Sequence, residues 1–183
     1  MRKTLALPLM FCVALTTAFA ASKPKATGDA SWLQPYNGAA GYASANGEIS
    51  FNAIETSTPD PKTGVASAKG SMLYDDPYYT YSADIQFMIV SGKTAQFIGS
   101  VTSVTLKSDP TSPTGLFGCC AVGNWVYFEV TDVDEPGVGA DYLYGEDLGA
   151  IGGSAAINYM VANPNHHPQY GPYVINDGNI QVH

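Results

Sequence analysis

Positive charge is scarce in this chain, with 8 Lys and Arg against 16 Asp and Glu, and nowhere do the basic residues cluster. Such a surface repels phosphate backbones and anionic lipid, which excludes nucleic acid as a partner. Cysteine is also scarce: of three, Cys12 lies near the start and the other two are the adjacent Cys119 and Cys120. Two neighbouring cysteines build no disulfide framework, and they lack the C-x-x-C type spacing of a tetrahedral zinc site. A small apolar pair in a loop and a vicinal disulfide both fit them.

Long apolar runs are missing except at the very start. There Arg2 and Lys3 precede an apolar run from Leu5 to Leu15, and Ala18-Phe19-Ala20 follows. This is the pattern of a secretory signal peptide over residues 1–20, cleaved after Ala20, and the run is shorter than the roughly 20 apolar residues a spanning helix needs. No membrane insertion is expected once the leader is removed, and the expected location is secreted or periplasmic in a bacterium. Loss of Arg2 and Lys3 reduces the basic residues from 8 to 6 against 16 acids, which moves the formal charge from -8 to -10. Also absent are a G-x-S-x-G elbow, a glycine-rich phosphate loop and any internal repeat of fixed period.

Helical periodicity is nearly absent as well, while period-two alternation recurs. Ile49, Phe51 and Ala53 share one face of a strand over Glu48 to Thr56, and Val65 to Tyr74 is extended. Tyr79 to Val90 places Tyr79, Tyr81, Ala83, Ile85, Phe87 and Ile89 on one side. In its partner, Ala95, Phe97, Gly99 and Val101 are followed by Val104 and Leu106 on the opposite parity, which predicts a bulge near Thr102 and Ser103. Trp125 to Val130 is aromatic on both faces, so a strand paired on both edges is expected. Asp141 to Tyr144 reads as a short returning strand, and Ser154 to Val161 as a turn or two of helix with Ser154 as N-cap. Pro172 to Ile175 and Asn179 to His183 read as two strands joined by a turn at Asn176-Asp177-Gly178. Residues 21–30 read as a flexible lead-in, with one β-domain over 31–183. The fold class is all-β, an antiparallel β-sandwich or small β-barrel of about seven to nine strands with little helix.

Three phrases, Ile49-Ser50-Phe51-Asn52-Ala53, Glu135-Pro136-Gly137-Val138-Gly139-Ala140-Asp141 and Gly178-Asn179-Ile180-Gln181-Val182-His183, resemble a group of secreted bacterial β-domains. The group shares an F-N-A strand, an E-P-G-x-G-x-D turn and a terminal G-N-I-Q-V-H. The resemblance implies a compact extracellular β-domain and carries no activity. This chain differs from the group by a Gly- and Asn-rich insertion from Gly145 to Pro168.

Asp132, Asp134, Glu135 and Asp141 gather carboxylates around one turn, and calcium takes oxygen ligands of this kind. The competing reading is a hairpin turn whose aspartates bond backbone amides. Glu129, Glu55 and Asp84 are the carboxylates that paired-acid glycoside chemistry would draw on, each expected on a solvated outer face. His166, His167 and His183 raise transition-metal binding, against which stands the opposite aim of adjacent side chains on extended chain. The 12 tyrosines are the main bulk feature. Of these, Tyr74, Tyr78, Tyr142, Tyr144 and Tyr170 are the candidate binding residues, since tyrosine pairs a broad apolar face with a polar tip. β-Sheets also favour tyrosine for packing alone. The first functional expectation is a secreted non-enzymatic β-domain for binding or surface interaction, with a glycan or protein partner. The alternatives are a small extracellular polysaccharide hydrolase using paired carboxylates, and a self-assembling structural surface protein.

Overall fold

The computed structural model describes residues 22–34, 45–76, 79–107, 121–133, 141–162, 167–168 and 170–183, and at 33, 34, 45, 46 and 170 the description extends to the backbone only. The eight strands are β1 (Lys25–Gln34), β2 (Ala45–Glu55), β3 (Ala66–Asp75), β4 (Tyr79–Ser91), β5 (Thr94–Leu106), β6 (Trp125–Thr131), β7 (Tyr142–Gly149) and β8 (Tyr170–Val182). One helix, α1 (Gly153–Ala162), lies between β7 and β8. Each strand pairs antiparallel with its chain neighbours, and β8 returns to β1, closing an up-and-down barrel. Among the described residues no helix is long and apolar enough to cross a membrane.

Alternation decides which side chains enter the barrel. Ile49, Phe51 and Ala53 point inward as the sequence predicts, as do Ala95, Phe97 and Val101. An aromatic column fills the interior: Phe51 stacks on Phe97 at 5.2 Å, Phe97 on Phe128 at 5.8 Å, and Phe128 meets Tyr74 at 6.3 Å. The predicted bulge is present, because Ser82 pairs with Ser103 and Ala83 with Val101, which leaves Thr102 as the extra residue.

A second bulge in β4 was not predicted. Ile85 pairs with Gly99 and Phe87 with Ile98, so Gln86 is extra and parity flips. Phe87 and Ile89 therefore leave the face of Tyr81, Ala83 and Ile85 and join an outer cluster with Ile98, Tyr127, Ala156 and Met160. This cluster is the ground on which α1 sits. Ala156 and Met160, four residues apart on one helix face, are both buried there.

Three expectations are corrected. Residues 25–30 form the first half of β1 rather than a flexible lead-in, with Ala26 and Ala30 buried in the barrel. The C-terminal segment is one strand, not a hairpin: Asp177 and Gly178 pair with Ser31 and Ala30, and the backbone irregularity is a bulge between Ser31 and Trp32. Helix α1 begins at Gly153, with Gly152 O accepting from the amides of Ala155 and Ala156, so Ser154 lies inside the first turn rather than at the cap.

Candidate functional site

β6 (Trp125–Thr131) sends Val126, Phe128 and Val130 into the barrel, which leaves Tyr127 and Glu129 on the outside. Outward residues of a barrel are ordinarily wet, but Glu129 is only 3% exposed. Its expected place on a solvated face is thus corrected: His167, ahead of β8, lies against it. A buried carboxylate is sustained only by partners, and Glu129 has two. Gln96 Nε2, its cross-strand neighbour on β5, donates to Oε2 at 2.8 Å, and His167 Nδ1 contacts Oε1 at 2.6 Å. Where Glu129 is ionised it can only accept, which places the proton of that bond on Nδ1.

The imidazole of His167 also lies flat on Tyr144, the neighbour of Glu129 on β7, with ring centroids 4.4 Å apart and planes 12° from parallel. The side chain of His167 is 57% exposed, in contrast to 4% for Glu129. The result is a row Gln96–Glu129–Tyr144 across β5, β6 and β7, with an oriented and partly exposed imidazole on top. Burial, then the charge of Glu129, raises the phenol of Tyr144 above its ordinary range.

Two further rows flank this one. Toward α1, Ile98, Tyr127 and Glu146 align, and Tyr159 OH from the helix donates to Glu146 Oε1 at 2.8 Å. Tyr127 meets the Tyr159 ring edge-on at 79°. Burial first, then the Glu129 and Glu146 charges, pushes the Tyr127 phenol far up. Tyr159 is pushed up to about 12 by burial, the bond to Glu146 and that carboxylate's charge. On the other side Thr94, Thr131 and Tyr142 align, the two threonine hydroxyls 3.2 Å apart. The side chains of this row are half-buried.

The remaining sequence candidates fall in different places. Asp141 is buried and accepts from the amides of Val133 at 3.1 Å and Ile180 at 2.9 Å, one at each oxygen. Asp132 Oδ2 accepts from Val182 N at 3.2 Å. Both carboxylates thus brace β8 beyond the end of its pairing with β7. Asp134, Glu135, Tyr78, Cys119, Cys120 and His166 lie outside the described residues, as does the side chain of Tyr170. Among the described residues no group of three or more His, Cys, Asp or Glu is placed to hold a metal ion. Tyr74 is buried in the aromatic column, whereas Tyr142 and Tyr144 lie on the outer face of β7. Glu55 is 7% exposed and shares the inward parity of β2, another correction, while Asp84 is exposed as expected.

Fold and site together define an up-and-down β-barrel with a polar, histidine-topped cluster on its outer wall. The chain matches no family model, no curated protein and no solved structure.

Proposed function

We propose that the protein is a secreted, non-enzymatic β-barrel that binds an extracellular glycan across the outer face of β5, β6 and β7. The observation that carries this reading is the exposed imidazole of His167, held flat on Tyr144 and fixed through Nδ1 to buried Glu129. A ring so fixed loses little freedom on binding. It offers one hydrogen-bonding edge, beside hydroxyls from Thr94, Thr131 and Tyr142 that suit a polyol. Glu48, Asn52, Lys69, Ser71 and Asp84 on the outward side of β2 to β4 are polar and exposed, with Ile54 and Leu73 as apolar residues among them. Polar residues so interspersed break up the continuous apolar band by which a membrane barrel meets lipid.

One feature favours a second reading, an extracellular hydrolase. A histidine oriented by a buried carboxylate is a proton-transfer arrangement. A glycan array on the protein, followed by product analysis of every bound glycan, separates the two. Binding with recovery of intact glycan, weakened by about tenfold or more in His167→Ala, is the expected result. Glycan cleavage lost in Glu129→Gln would establish the hydrolase, and an array without any bound glycan would end both readings.

A further inference from the structure

Lysines that the sequence spaces apart come together on the outer wall of β1 to β3. Six lysines follow Ala20, and two of them are engaged elsewhere: Lys93 Nζ donates to Val133 O at 2.9 Å, and Lys107 pairs with Asp75 at 2.7 Å. Of the other four, Lys62 lies in the turn between β2 and β3, and Lys23 Nζ donates to Thr56 O at 3.2 Å, just past the end of β2. Lys25 on β1 and Lys69 on β3 are both register partners of Ile54 on β2, one on each side. All three side chains of this row, Lys25–Ile54–Lys69, are exposed, Ile54 by 47%. Strand spacing sets the two lysine Cα atoms about 10 Å apart. Among the described residues neither ammonium has a hydrogen bond or an ion pair.

The row borders an open hollow of about 530 Å³, lined by Asn52, Ile54, Thr56, Lys69, Gly70 and Ser71. A bulge in β3 coincides with it: Ser67 pairs with Phe87 and Gly70 with Ile85, so Ala68 and Lys69 stand opposite Gln86 alone. Gly70 brings no side chain to fill the space, and a Cβ there would collide with Asn52 O. Bare backbone therefore adjoins the apolar side chain of Ile54. The next row along, Thr27–Asn52–Ser71, adds two hydroxyls and an amide. Beyond Ser71 its register partner on β4 is the exposed Asp84, so the hollow is cationic toward Ile54 and anionic toward β4.

We infer that this hollow binds a short acidic glycan built of hexuronate rings. Such a ring has an apolar C–H face, hydroxyls around its rim and one carboxylate. The C–H face lies on Ile54 and the bare backbone at Gly70, the hydroxyls meet Asn52 and Ser71, and the carboxylates meet Lys25 and Lys69. Asp84 repels an anion on its own side and so directs the acid groups to the lysine row. A neutral sugar would leave the two like charges beside Ile54 uncompensated. The formal charge of -8 over the whole chain opposes a long polyanion, which sets the length as short. The hollow shares no residue with the site on β5 to β7, and neither depends on the other.

The test is a titration of the 15N-labelled protein with trigalacturonate, with neutral galactotriose and sodium sulfate as controls. The expected result is a saturable shift of the backbone amides of Ile54, Lys69 and Gly70 with trigalacturonate, weakening as salt is raised, which neither control reproduces. Lys69→Gln weakens the affinity about threefold, and the double variant with Lys25→Gln about tenfold. Both side chains are exposed, so the variants keep the fold, which an unchanged urea midpoint verifies. Lys93→Gln, which removes the same charge elsewhere on the barrel, leaves the affinity as it was. Amides that stay still with trigalacturonate, or move equally with galactotriose, overturn the inference. So do equal shifts with sulfate, which would mean an adventitious ion only, and a Lys93→Gln loss as large as that of Lys69→Gln.

Discussion

Asp141 shows how one side chain can complete a sheet. Its two oxygens receive the amides of Val133 and Ile180, and Ile180 itself is fully buried. Removing the carboxylate leaves two donors unmatched, one of them in the core. At about 1.5–3 kcal/mol for a hydrogen bond to a charged group, Asp141→Ala should lose roughly 3 kcal/mol. Urea unfolding checks this through a lower midpoint with an unchanged slope. Asp132→Ala, which releases the single longer bond to Val182, should lose less than half as much. The same occupancy bears on calcium. A cation there would have to displace backbone amides from three of the four oxygens of Asp132 and Asp141. A chelator is therefore expected to leave the thermal midpoint where it is. Alkali gives a second test at this scale. The raised phenol of Tyr159 means that the fold favours the neutral form. Its contribution is fully present below the unfolded value near 10 and is lost as pH rises through about 12. Phenolate absorbance followed against pH should show a late-titrating fraction among the tyrosines, and Tyr159→Phe should remove part of it.

At the scale of elements, two glycines let strands bend where bulges demand it. A Cβ on Gly70 would lie 1.8 Å from Asn52 O, and one on Gly99 would lie 2.4 Å from Asp84 O. In both cases the obstacle is backbone on a neighbouring strand, which cannot swing aside as a side chain can. Gly70→Ala and Gly99→Ala should each lose about 1–3 kcal/mol or more, measurable as a fall in the thermal midpoint, whereas Gly152→Ala, which meets open space, should change little. The strands with large alternating residues, β2 to β6, were legible in the sequence because each must place a row of Phe, Ile, Tyr or Val against the core. β1 was not, since Lys25 to Ala30 is small and polar like a linker. The structure supplies the reason: Phe51 reaches across to Gly28, where a Cβ would sit 2.3 Å from its ring, so small residues are what the facing strand requires. The Asn-Asp-Gly turn signal in β8 failed for a related cause. Gly178 does take positive φ, at 91°, but inside the β1 ladder, where a Cβ would come within 2.1 Å of Asp29 O. Tertiary pairing overrides the local turn. The outer-wall site was half legible. Glu129 could be placed on the outward face of its strand, but solvation was expected there, and aromatic residues on both faces spoke only for pairing on both edges. The approach of His167 across 38 residues could not be read from spacing.

Closure of the whole molecule depends on the two ends of the described chain. Lys25 N donates to His183 O at 3.0 Å and His183 N to Lys25 O at 2.9 Å, so β1 and β8 meet as a hydrogen-bonded pair at the last register position. Each of the eight described strands is paired on two sides, so among the described residues no strand presents the long free edge on which strand-to-strand self-assembly depends. Closure is also the step of greatest sequence separation, since β1 must find β8 after all other strands have been laid down. These facts predict opposite outcomes for two rearrangements. Joining His183 to Lys25 through a short Gly-Ser linker, and opening the chain in the exposed turn at Asp60 to Thr63, keeps all eight pairings. The turn is held only locally, with Asp60 Oδ1 accepting from the amides of Lys62 and Thr63 at 2.8 and 2.9 Å. Such a permutant should fold to a monomer with stability within about 2 kcal/mol of the parent. A chain ended after Ile175 loses most of the β8 segment that pairs with β1, along with the amides of Ile180 and Val182 that Asp141 and Asp132 accept from. It should expose the edge of β1 and elute from size-exclusion chromatography as concentration-dependent aggregates. A permutant that aggregates, or a truncated chain that stays monomeric and cooperative, would show that stability does not depend on ring closure.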